Sequence, residues 1–102
     1  MKLTVLDRIM IANILPQEGD ITTLFIIRKL KEELGFTEEE SAILNFKQVE
    51  QRLSWDGNIE KDVEIGKKAK QIICEALEFL DENRKLTLDH VSIWTLFKKA
   101  PK

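Results

Sequence analysis

The stretch Gly66 to Asn83 constrains the fold more than any other part of the chain. Ala69, Ile72, Ile73, Ala76, Leu77 and Leu80 recur at steps of three and four, which places them on one face of a helix. Glycine stands before this run and asparagine after it, so both ends carry helix punctuation. An apolar stripe this clean predicts the central core helix, with the other elements laid around it.

Size and charge narrow what surrounds that helix. A chain of 102 residues is expected to form a single domain over residues 1–102. With 43% hydrophobic and 33% charged residues it has the balance of a soluble globular protein, not of a disordered one. Cys74 is the only cysteine, which excludes an intrachain disulfide and a cysteine-based metal site and fits a reducing, cytoplasmic setting. Asp7, Arg8 and Asn13 interrupt the apolar start, so it does not read as a signal peptide, and no apolar run is long enough to span a membrane. The net charge of −2 is unevenly spread, with −3 over residues 1–45 and +3 over residues 67–102. That balance argues against electrostatic coating of nucleic acid and leaves room for a local basic surface.

Taken in order, the chain reads as α+β. Thr4 caps a first helix to about Ile14, with Leu6, Ile9, Met10 and Ile14 as its buried stripe and Val5 and Ile11 widening it. Pro16 ends that helix, and Gln17 to Asp20 is a turn. Asp20 caps a second helix, Ile21 to Leu34, with Gly35 placed as its C′ residue and Phe25 and Ile26 outside the narrowest stripe. Thr37 and Glu40 have capping-box spacing and start a short third helix ending near Leu44 or Asn45. The period then changes to two. Val49, Leu53 and Trp55 alternate with polar residues, as do Ile59, Val63 and Ile65, around Asp56-Gly57-Asn58. A three-residue loop there pairs Trp55 with Ile59 and Val49 with Ile65, which sets both apolar rows on one face for packing against helices. Thr87 caps a final helix, Leu88 to Lys99, apolar most of the way round through Val91, Ile93, Trp94, Leu96 and Phe97, and Pro101 closes the chain. The predicted fold is therefore three N-terminal helices, a two-stranded antiparallel hairpin and two C-terminal helices around one core.

Site chemistry is sparse. His90 is the only histidine and has no cysteine or carboxylate at ligand spacing, so it reads as structural. No Gly-x-Ser-x-Gly or comparable motif supports a triad with Ser41, Ser54 or Ser92. Glu38, Glu39 and Glu40 point about 100° apart on a helix and cannot converge on one ion. Cys74 sits mid-helix beside the apolar stripe and reads as a small buried hydrophobe. The glycines match no phosphate-cradling pattern. No catalytic residue, metal or cofactor is expected.

One distribution opposes local helix physics. Lys67, Lys68 and Lys70 open the central helix, and Glu78, Asp81 and Glu82 crowd its last turn, so both ends oppose the macrodipole. Either neighbouring carboxylates such as Glu38–Glu40, Asp62 or Glu64 neutralise the lysines, or the lysines meet an anionic partner surface. The order helix, turn, helix, hairpin also permits a winged-helix arrangement, although its recognition helix would open with three glutamates.

The Leu15-Pro16-x-x-Gly19-Asp20 turn, the Phe36-Thr37-Glu38-Glu39-Glu40 helix start and the Leu53-Ser54-Trp55 strand, with Val63-Glu64-Ile65-Gly66 and Lys85-Leu86-Thr87, carry a resemblance. Together they resemble small uncharacterised proteins encoded in bacteriophage and prophage genomes. The resemblance implies a phage-related origin, brings no activity and no functional residues, and favours binding or assembly over catalysis.

The expectation is thus a small non-enzymatic protein-interaction or assembly factor, phage-related and cytoplasmic, with a protein partner that includes a second copy of itself as an option and with no membrane partner. The alternative is a winged-helix-like nucleic-acid-binding regulator. Candidate partner contacts are Lys67, Lys68 and Lys70, together with Phe25, Trp94 and Phe97, because Phe25, Ile26, Trp94 and Phe97 are more apolar surface than one small core is expected to hold.

Overall fold

The first three helices begin where side chains can satisfy their first N–H groups. In the computed structural model, which describes residues 1–98, Thr4 and Asp7 form a reciprocal capping box that starts α1 (Val5–Ile14). The Asp20 carboxylate accepts from the Thr23 N–H at 2.9 Å and starts α2 (Ile21–Leu34). Thr37 and Glu40 exchange the same pair of bonds at 3.1 Å each and start α3 (Glu38–Leu44), which Asn45 ends in the left-handed region at φ 49°.

A hairpin follows, but not at the predicted turn. Strands β2 (Lys47–Val49) and β3 (Arg52–Ser54) pair Gln48 with Leu53 and Val49 with Arg52 across Glu50-Gln51, with Glu50 at φ 58°. Gly57 does turn the chain, at φ 77°, yet Trp55 does not pair with Ile59 nor Val49 with Ile65. The second half of the predicted hairpin goes elsewhere. Strand β4 (Lys61–Asp62) lies antiparallel to β1 (Lys2–Leu3), and the Val63 N–H donates to the Met1 carbonyl at 2.8 Å. The reason is burial: Leu3 and Val63 are both fully enclosed in the core, and this non-local pairing places them there.

The β2–β3 hairpin therefore does not lie on the helices as expected. Val49 is 67% exposed and Leu53 44%, and the register sends them to opposite faces of the ribbon. Its base is held by aromatic packing instead. Phe46 meets Phe36 edge-on at 5.0 Å and Trp55 at 6.2 Å between ring centroids, while the Asp56 N–H donates to the Leu44 carbonyl at 2.7 Å.

After β4, α4 (Lys67–Glu82) runs from Gly66 to Asn83 and packs against α1, α2 and, further on, α5 (Val91–Lys98). Ala69, Ile73 and Leu77 are its buried line, and Ile72, Ala76 and Leu80 form its half-buried margin. A short 3-10 turn, Leu88–His90, precedes α5, where one continuous helix is predicted. Thr87 caps that turn through His90, and Ile93 and Phe97 enter the core. Lys99 and Pro101 lie outside the described residues. The α+β order of three helices, hairpin and two helices around one core holds among the residues described, with the β1–β4 ladder added.

The first helix buries a different line from the predicted one. Val5, Arg8 and Ile11 are fully enclosed, whereas Leu6, Ile9, Met10 and Ile14 are half-buried flanks. A charged residue in the centre of the core face disguises that line, and its presence there depends on a partner from α3.

Candidate functional site

That partner is Glu40. The Arg8 guanidinium reaches the Glu40 carboxylate at 2.8 and 3.3 Å, donates to the Leu34 carbonyl at 3.1 Å and to the Gly35 carbonyl, and lies 3.9 Å from the Phe36 ring centroid. Its side chain is fully buried and that of Glu40 18% exposed. Arg8 and then the Thr37 N–H hold the Glu40 carboxyl down to about 2. Gly35 explains part of this geometry. It caps α2 in extended conformation at φ −63°, not as a left-handed C′ residue, and so turns its carbonyl towards Arg8. The arrangement joins α1 to the α2–α3 corner. Every guanidinium nitrogen has a partner within the protein, as a structural site requires.

Three other polar candidates each have a partner within the protein, and His90 also lines a depression beside α4. His90 is buried to 9% exposure, and its Nδ1 accepts the Thr87 N–H at 2.9 Å. The Cys74 thiol is half-buried and lies 3.7 Å from the Phe97 carbonyl. Ser54 Oγ donates to the Lys47 carbonyl within the hairpin. Among the described residues no group of three His, Cys, Asp or Glu side chains is placed to hold a metal ion. No helix among them is long and apolar enough to cross a membrane.

What remains open is a groove along the seam of α2 and α4. The end of α2 lies beside the start of α4, so the helices run in opposite senses; two depressions follow one another between them, and a third continues along α4 where it faces the end of α1, Pro16 and His90, with Thr23 as the α2 residue in its lining. The first, about 460 Å3, lies among Ile26, Lys29, Glu33, Glu64, Lys67 and Lys68. It shares Ile26 and Lys68 with a second of about 390 Å3 that adds Asp20, Thr23, Gln71, Ile72 and Glu75. The third, about 630 Å3, shares Thr23, Ile72 and Glu75 and is otherwise mostly apolar, with Ile14, Pro16, Ala76, Phe79 and Leu80. Phe79 stands at its rim, 64% exposed. The groove thus grades from mixed charge beside the α4 start to apolar beside its end.

The predicted contacts fall unevenly on this surface. Lys67, Lys68 and Lys70 are exposed, and among the described residues no carboxylate lies within ion-pair distance of them. Of the expected neutralisers, Glu40 is held by Arg8 and Asp62 by the Met1 amino nitrogen at 2.7 Å, while Glu64 only shares the groove wall with Lys67 and Lys68. Phe25 is exposed on the outer side of α2, with the Arg28 guanidinium 5.4 Å from its ring centroid. Phe97 is not available to a partner, being 7% exposed in the core, and Trp94 and Ile26 pack half-buried against that core. The core therefore accommodates three of the four apolar residues expected to exceed it.

Phe79 is the exposed aromatic that sequence reasoning missed. It lies off the apolar stripe, between Glu78 and Asp81, and its signal is an aromatic on the polar face of an otherwise cleanly amphipathic helix. At the far end of α4, Glu78 pairs with Lys98, whose ammonium is raised above its usual range chiefly by that hydrogen bond. Comparison of the chain with protein-family models, curated proteins and solved structures finds no match.

Proposed function

We propose that this protein is a small non-enzymatic interaction or assembly factor of phage-related origin, working in the cytoplasm and binding protein through the α2–α4 face. The observation that carries this reading is the groove itself. It runs along α4, against α2 at its charged end and against the end of α1 and Pro16 at its mostly apolar end, where an aromatic ring left 64% exposed rims it. Exposed aromatic surface beside an apolar groove is what a protein interface uses for its anchor residues. Lys67 and Lys68 line the charged end of the same groove and extend the face.

The nucleic-acid alternative has one observation in its favour, a hairpin projecting after α3 with Lys47 and Arg52 on it. Against it stand Glu38 and Glu39, exposed at the start of α3, where a recognition helix would approach phosphates. The protein-binding reading is tested by affinity capture with the intact chain and with Phe79→Ser and Lys67→Gln/Lys68→Gln forms, assaying the same eluates for nucleic acid. A protein retained by the wild type and lost from the variants is the expected result. Retention of nucleic acid alone, or capture that the variants leave unchanged, refutes the assignment to this face.

A further inference from the structure

We propose that the protein seated on this face is a second copy of the same chain, its α4 lying antiparallel to the first across a two-fold axis near Glu75. The proposal rests on the reading that the α2–α4 face binds protein, and it names the partner. Lys68, Gln71, Glu75, Phe79 and Glu82 follow one another at steps of three and four along the outer side of α4, opposite the buried line of Ala69, Ile73 and Leu77, and all five are exposed. Lys68 and Glu82 stand equally far on either side of Glu75, as do Gln71 and Phe79. A two-fold axis through Glu75 therefore sets each Lys68 against the partner's Glu82 and each Phe79 beside the partner's Gln71, twice over.

This one operation gives Lys68 and Glu82, which both oppose the macrodipole in the single chain, an opposite charge each. In the single chain, lysines sit at the positive end of α4 and carboxylates at the negative end. Beside an antiparallel copy, each lysine end gains both the partner's acidic turn and the negative end of the partner's dipole. A parallel arrangement would set lysine against lysine. A nucleic acid or a uniformly acidic peptide would be attracted by Lys67 and Lys68 and repelled by the half of the helix from Glu75 to Glu82. The apolar part is self-complementary as well. Each chain carries an exposed ring, Phe79, and a groove open beside Ile72 and Ala76, so the ring of one copy reaches the groove of the other.

The single unfavourable contact is at the axis, where Glu75 meets its own copy. Gln71 Nε2 already donates to Glu75 Oε1 at 3.1 Å and draws off part of that charge. The pairing thus carries its own signature: Glu75→Gln tightens the dimer.

Sedimentation equilibrium of the full chain at low salt tests the proposal. The wild type is expected to dimerise. Lys68→Glu and Glu82→Lys are each expected to weaken the dimer about tenfold, because each places two like-charged contacts across the axis. An equimolar mixture of these two variants regains the wild-type association as a heterodimer, since opposite charges then meet at both ends. Circular dichroism of each variant checks that the fold is unchanged, and all the substituted positions are exposed. A wild type that stays monomeric up to about 1 mM overturns self-pairing. So does a dimer that Glu75→Gln does not tighten, or variants whose mixture fails to associate. A monomer that still captures another protein through Phe79 defeats self-pairing alone; a monomer that captures nothing defeats the protein-binding reading with it.

Discussion

Replacing Glu40 with glutamine removes the negative charge opposite Arg8 while keeping the side chain's length and one accepting oxygen. Arg8 is then a fully buried cation facing two backbone carbonyls, the ring of Phe36 and a neutral amide. Breaking a buried pair from one side costs about 3–5 kcal/mol when nothing else receives the remaining charge. Independently, the fall of the Glu40 carboxyl from 4.5 to about 2 corresponds to roughly 3 kcal/mol of preference for the charged form in the folded state. Because Glu40 is on the solvent side of the pair and the carbonyls remain, screening brings the expected cost near pH 7 to about 2 kcal/mol. For a domain of this size that lowers the melting temperature by on the order of 10 °C. The pH dependence has a definite sign. As pH falls, the unfolded chain protonates Glu40 near 4.5 and the folded chain only near 2, so the stabilisation is complete above 4.5 and is lost between the two values. Urea midpoints of wild type and Glu40→Gln, followed by circular dichroism from neutral pH downwards, should converge across that window. A cost that stays the same at neutral and acid pH would place the effect in packing and refute the electrostatic account.

Three further outcomes follow from the packing. Ile73→Ala opens a cavity in the fully buried line of α4 and should cost about 2–5 kcal/mol by urea unfolding. Val49→Thr and Leu53→Thr should each change stability by less than about 0.5 kcal/mol, because both side chains project from the hairpin into solvent; a cost typical of core residues would restore the register in which both pack on helices. Phe46→Leu removes the edge contacts to Phe36 and Trp55, so amide exchange over Lys47–Ser54 should quicken while α4 keeps its protection.

Local signals identified most of the secondary structure and little of how it is joined. The caps at Thr4, Asp20 and Thr37 stand where their side-chain chemistry places them, because a capping bond closes within three residues and needs nothing distant. The hairpin register failed for the opposite reason. The alternating rows around Gly57 favour a local pairing, but Val63 lies next to the β1–β4 ladder, whose partner strand is only Lys2–Leu3, too short to leave a periodic trace. Surplus apolar surface was misassigned because the capacity of a core depends on how helices cross. Phe97 has a place there, while Phe25 and Phe79 do not.

The α4 helix separates the two kinds of information. Its limits, its buried line and its reversed charge follow from the sequence alone, since they depend on periodicity and on residues at its own ends. Its surroundings do not. That Arg8 is a core residue required Glu40, which the fold brings to it from the start of α3. That Lys67, Lys68 and Lys70 remain unpaired among the described residues depended on the fold, which holds Asp62 and Glu40 elsewhere and brings no other carboxylate within ion-pair distance. That Phe79 stands at the rim of a groove depended on the end of α1, Pro16 and His90 lying beside α4. Pattern determines which face of a helix is apolar; only the packing of the other elements decides which of its remaining side chains stay open to a partner, because exposure is a property of neighbours and not of sequence.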